Sequence, residues 1–218
     1  MPYKNIVFDY DGTLADSTNL IVNSVQATFE AQNFDAPTPA DIIQYIGTPL
    51  TNFLPKLAPR ELSELELTTM VNNYRKTSKS SENSESIKLF SGIADLLTDL
   101  TNQDINLFIL TSKNTEIARR NTAVLDITDK FKAIIGADMV AKPKPNPAGL
   151  LKLVNDYNLV PTETLMVGDT TFDIQMANAA NIDNVAVTWG AHDLPTLERA
   201  NPTYIASDVS QLADNILS

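Results

Sequence analysis

Cysteine is absent from the 218-residue chain, so neither a disulfide framework nor thiolate chemistry is available, which fits a reducing compartment. No uninterrupted apolar stretch approaches the ~18 residues of a membrane span. Met1-Pro2-Tyr3-Lys4 runs straight into an apolar segment and carries nothing that reads as a targeting signal. Histidine occurs once, as His192 after Trp189-Gly190-Ala191, where a surface loop is expected. Positive charge is scarce: 16 Lys and Arg stand against 27 Asp and Glu, a net charge of -11 that opposes binding to nucleic acid backbones or anionic membranes. These absences lead to the expectation of a soluble, cytoplasmic protein with no nucleic acid or membrane partner.

What is present suffices for one sizeable domain, or a main domain with an insert, because 43% of the residues are apolar. Ile6-Val7-Phe8 reads as a buried strand. Ile21, Val25, Thr28 and Phe29 mark one face of a helix, broken near Asn33-Phe34-Asp35 and by Pro37 and Pro39. From there to about residue 87 the patterns are helical: Asp41 to Tyr45, Leu50 to Leu57, and a longer helix from Pro59 to about Lys76. The run from Ser78 to Ser86 is small and polar, as in a linker. After Ser91, a candidate helix cap, helices alternate with short apolar runs at 105–110, 133–136, 164–167, 185–187 and 204–206. Such alternation implies right-handed crossovers and a parallel sheet. No internal repeat is visible.

Polar groups follow four of these runs: Asp9 and Asp11; Thr111 to Lys113; Lys142 and Lys144; Asp169 and Asp173. A parallel sheet brings all its carboxyl ends to one edge, where open α/β folds bind ligands. A single Asp-Gly-Thr could be mere turn punctuation. Four converging polar ends are better explained by a site for a hard cation such as Mg2+ together with a phosphate group. Against the acidic background, the cation and lysines would reverse the field locally.

Asp9-Tyr10-Asp11-Gly12-Thr13-Leu14-Ala15-Asp16-Ser17, Thr111-Ser112-Lys113, Lys142-Pro143-Lys144-Pro145 and Gly168-Asp169-Thr170-Thr171-Phe172-Asp173 resemble, in order, the four motifs of the haloacid dehalogenase superfamily. The nearest resemblance is to its phosphoglycolate phosphatase-like branch. It implies a Rossmann-like parallel sheet core over residues 1–16 and 88–218, with an inserted all-helical cap domain over 17–87. It further implies a Mg2+-dependent phosphatase acting on a small phosphorylated metabolite as a monomer or homodimer. Asp9 would be the nucleophile forming an aspartyl-phosphate, and Asp11 the general acid and then base. Asp9, the Asp11 main-chain carbonyl and Asp169 would hold the metal. Thr111 and the Ser112 main-chain N–H would bind phosphoryl oxygens, and Lys142 would neutralise the phosphoryl group and Asp9. Lys142 is preferred because it precedes the first proline of its motif; Lys144 is read as a solvated loop lysine. Asp173 would orient metal-bound water or the lysine, and Gly47, in a cap loop facing the site, would help select substrate. Asp16 reads equally as a helix cap or a hinge residue.

Two departures from the branch pattern stand out. Ser112 replaces a common asparagine, and Asn181 stands where glycine is usual, in keeping with the tolerance of Asn for a left-handed helix end. The cap cations Lys56, Arg60, Arg75, Lys76 and Lys79 fall in no motif assignable to a substrate carboxylate. A phosphosugar mutase of the same superfamily ranks behind the phosphatase, since its usual first motif has Val in place of Thr13. A pyrophosphatase remains open. A halide-removing enzyme is disfavoured by Asp11, and a non-catalytic binding protein by the retention of Asp9, Asp11, Lys142 and Asp169.

Overall fold

The structure, a computed structural model, describes residues 3–83 and 85–217. Asn5–Phe8 forms β1, and Ile6, Val7 and Phe8 are fully buried, each worth ~1.5–3 kcal/mol of transfer free energy. After a turn, Ala15–Asp16 forms the two-residue β2. Four helices follow: α1 (Thr18–Glu30), α2 (Pro39–Ile43), α3 (Leu50–Leu57) and α4 (Glu64–Ser81). They pack around Val25, Phe29, Ile42, Leu54 and Met70, so this layer has an apolar centre of its own. The chain returns through β3 (Lys88–Leu89), which pairs antiparallel with β2, Ala15 opposite Leu89 and Asp16 opposite Lys88.

The remaining elements alternate: α5 (Ile93–Asn102), β4 (Asn106–Leu110), α6 (Thr115–Val124), β5 (Ala133–Ile135), α7 (Ala148–Tyr157), β6 (Thr164–Gly168), α8 (Thr171–Ala179), β7 (Asp183–Val187), α9 (Leu194–Glu198), β8 (Tyr204–Ala206) and α10 (Val209–Leu217). Six strands form one parallel sheet in the order β5-β4-β1-β6-β7-β8. Alternate residues of β1 enter opposite faces, Ile6 and Phe8 into one core and Val7 into the other. Because β1 lies between β4 and β6, the strand order reverses beside it, and the crevice at its carboxyl end is the natural ligand position.

Three local expectations need correction. The helix expected from Pro59 begins at Glu64, because Ser63 and Glu66 form a reciprocal capping box that Pro59 cannot match. It also continues to Ser81, into the segment read as a linker; Ser84 of that segment lies outside the described residues. Ser91 does not cap α5; Gly92, at φ 86°, occupies the cap position. Asn181 does adopt the left-handed conformation, at φ 53°. No described helix is long and apolar enough to cross a membrane.

Candidate active site

Asp9 follows directly on β1, and its main-chain N–H donates to the Val167 carbonyl of β6 at 2.9 Å, which continues the ladder one residue beyond the strand. Its side chain is buried, as are those of Asp169, just past β6, and Asp173, in the first turn of α8. One oxygen from each of these three carboxylates lies within 4.8 Å of the others. Gly12 makes the approach possible: it sits at φ +81°, and a Cβ there would fall 2.1 Å from Asp169 Oδ2.

Among the described residues, the one ammonium bonded inside this group belongs to Lys144. Its Nζ donates to Asp9 Oδ1 at 2.8 Å and to Asp173 Oδ1 at 2.6 Å, with only 4% of the side chain exposed. Lys142 is exposed instead. The preference for Lys142 is therefore corrected. Both lysines precede a proline, so position in the motif could not separate them, whereas burial between two carboxylates does. Burial opposes the charge on Lys144, but Asp173 and Asp9 overrule it and hold its pKa above the ordinary lysine value. Burial pushes Asp9 up to about 7, with Lys144 pulling the other way, and burial together with the Asp9 and Asp173 charges raises Asp169 as well.

Asp169 is fixed at both oxygens: Oδ1 accepts from Thr13 Oγ1 at 2.8 Å and Oδ2 from the Ala191 N–H at 2.7 Å. Asp173 Oδ2 accepts from the N–H and Oγ1 of Thr170, so the carboxylate that holds Lys144 also caps α8. Three buried carboxylates against one ammonium leave an excess of negative charge that a hard dication would balance. The oxygen-only donor set and the pressure toward protonation fit such an ion, and this acidic cluster could hold one.

Asp11 sits apart from the cluster. Its Oδ1 receives Ser17 Oγ in a short hydrogen bond and lies 3.0 Å from Lys113 Nζ, whose side chain is 8% exposed. Thr111 is buried at the end of β4, and its Oγ1 accepts the Lys113 N–H at 3.2 Å. Ser112 reaches the helical layer: its Oγ donates to the Gly47 carbonyl at 2.6 Å. Gly47 sits at φ +96°, and a Cβ there would lie 2.9 Å from Thr170 Cγ2. The loop containing Gly47 thus touches two of the four motif segments. Asp16 is exposed and accepts the Thr18 N–H at 3.2 Å, beside the start of α1.

Asp9, Asp11, Thr111, Ser112 and Gly47 all line one cavity of about 360 Å³ between the sheet edge and the helices. Three contributors escaped sequence reasoning. Thr13 and Lys113 lay inside the motifs but were given no partner; their adjacency to Asp11 and Thr111 was the available signal. His192 is half-buried rather than on an open surface loop, and its Nδ1 accepts the Thr171 N–H at 3.1 Å. Burial lowers its pKa.

A parallel α/β core with carboxylates at the end of its first strand, under a helical layer, defines a class of hydrolases. The sequence pattern of the haloacid dehalogenase-like hydrolases matches residues 6–187, and the chain belongs to that family. Pyrophosphatase PpaX of Oceanobacillus iheyensis is 29% identical over 212 residues, covering 97% of this chain and 96% of its own. A haloacid dehalogenase-like family hydrolase from Streptococcus pneumoniae superposes with a TM-score of 0.85 at 29% identity, covering 98% of each chain. A predicted phosphoglycolate phosphatase from Haemophilus somnus superposes with a TM-score of 0.88 at 23% identity, covering 98% of this chain and 97% of its own, a likeness of fold alone.

Proposed function

We propose that the protein is a Mg2+-dependent phosphatase that hydrolyses a small phosphorylated metabolite through an aspartyl-phosphate on Asp9. The observation that carries this reading is the convergence of the Asp9, Asp169 and Asp173 carboxylates, with Lys144 bonded to Asp9 and Asp173, beside a cavity of about 360 Å³. Residues 17–87 would serve as the cap and residues 1–16 and 88–218 as the core.

An Asp9 oxygen attacks phosphorus, a P–O bond forms, and the bond to the leaving oxygen breaks as Asp11 gives that oxygen a proton. Water then attacks the phosphorus of the acyl phosphate while Asp11 takes its proton, which frees inorganic phosphate and restores Asp9. Lys113 and Ser17, both bonded to Asp11, fix the direction of its carboxyl. Lys144, rather than Lys142, offsets the charge of Asp9 and of the phosphoryl oxygens, and Asp173 keeps it in place. Thr111 and the Ser112 N–H bind phosphoryl oxygens. The Asp9 and Asp169 carboxylates and the Asp11 main-chain carbonyl would hold the metal, which would supply a Lewis-acidic counter-charge to the phosphoryl group. Gly47 lets its loop lie against Ser112 and Thr170, so that the cap closes over the bound ester.

A pyrophosphatase is the second reading, favoured by the relative of that name from O. iheyensis. The mutase reading loses support because the hydroxyl of Thr13 holds Asp169, a bond valine cannot make. The test is release of phosphate from p-nitrophenyl phosphate with Mg2+. Asp9→Asn is expected to abolish it, by about 10³-fold or more; full activity in that variant would overturn the nucleophile assignment.

A further inference from the structure

The cavity has two chemically different ends. Near the sheet edge it presents Asp9, Asp11, Thr111 and Ser112, whereas most of its wall toward the helices is carbon, including Ile21, Leu50, Phe53 and Val71. One cation stands on that apolar side. Arg75, an exposed residue in the last half of α4, lines the cavity and makes no ion pair among the described residues, whereas the other cavity cation, Lys113, is already paired with Asp11. The volume, about 360 Å³, lies in the ~300–1,000 Å³ range of sites for organic ligands. A molecule made of phosphoryl groups alone would leave the carbon wall facing water.

Resting on the phosphatase reading above, we infer that the substrate is an organic phosphate monoester with an apolar body and a second anionic group, carboxylate or phosphate, which Arg75 receives. The reacting phosphoryl group lies at Asp9, the apolar body against Phe53 and Val71, and the second anion in a forked pair with the guanidinium. The excess negative charge of the chain gives this free arginine a further role: it is the counter-charge on the cap side that admits a second anion to an acidic protein.

The experiment compares kcat/KM, with Mg2+, for phenyl phosphate, carboxyphenyl phosphate, phenylene bisphosphate, phosphoglycolate and pyrophosphate, in the native protein, Arg75→Gln and Arg75→Lys. At least one of the two doubly anionic aromatic esters is expected to exceed phenyl phosphate roughly tenfold, the scale of one charge-assisted pair, and which one does so identifies the second anion. It is also expected to exceed phosphoglycolate and pyrophosphate. In Arg75→Gln the ratio to phenyl phosphate falls toward one, through KM, and Arg75→Lys restores part of it. An unchanged ratio in Arg75→Gln, or pyrophosphate or phosphoglycolate as the best substrate, overturns the inference while leaving phosphate release intact. Release from none of the five overturns the phosphatase reading and the inference with it.

Discussion

The sheet edge and the helical layer solve opposite problems. At the edge, Asp9, Asp169, Asp173 and Lys144 bury charge that water would otherwise solvate, and every one of them is held by named partners. In the helices, Val25, Phe29, Leu54 and Met70 bury carbon, and among the described residues no buried charged residue lies in that layer. Burying charge is costly unless its geometry is fixed, so the edge tolerates few residue types at each position. Burying carbon asks only for size and spacing, so the helices can vary their lining while the edge stays the same. Under the proposed function, the reaction would belong to the edge, and discrimination among substrates to the cavity wall above it.

That contrast can be broken most severely at Lys144. Lys144→Ala should cut kcat about 10²- to 10³-fold and destabilise the fold by ~3 kcal/mol, because Asp9 and Asp173 lose their shared partner. Lys142→Ala should stay within about twofold on both measures, as expected of an exposed side chain; steady-state kinetics and urea unfolding check the pair. Phe29→Ala should cost ~3 kcal/mol in the same unfolding assay through a cavity in the helical layer. In Phe29→Ala, kcat at low temperature should fall far less than in Lys144→Ala.

Smaller effects sharpen the boundary between the regions. Gly47→Ala should cost about 1–2 kcal/mol and raise KM severalfold, since its φ of +96° strains any other residue and a Cβ would press on Thr170. Ser63→Ala should remove about 1 kcal/mol by undoing the cap of α4, with no change in kcat, as thermal denaturation and kinetics would register.

Much of the edge is legible in the sequence because a parallel sheet converts strand order into spatial neighbourhood. Asp9, Thr111 and Asp169 each follow an apolar run, and those runs became adjacent strands. The choice between Lys142 and Lys144 was not legible: two residues on a proline-bounded loop differ in burial, and burial depends on Asp9 and Asp173 from distant segments. The start of α4 is set by the Ser63–Glu66 pair, a specific signal, rather than by Pro59, a generic first-turn residue. The contact of Ser112 with Gly47 joins residues from two separate layers, which no local pattern encodes.

The small β2–β3 ladder has a bearing on how such a protein can change over time. Its paired residues stand about 5 Å apart, as antiparallel neighbours do, so the polypeptide departs for the helices and comes back through a single doorway. Whatever lies beyond that doorway can be lengthened, shortened or exchanged without shifting the six-strand register by even one residue. A new roof can be fitted to an old floor.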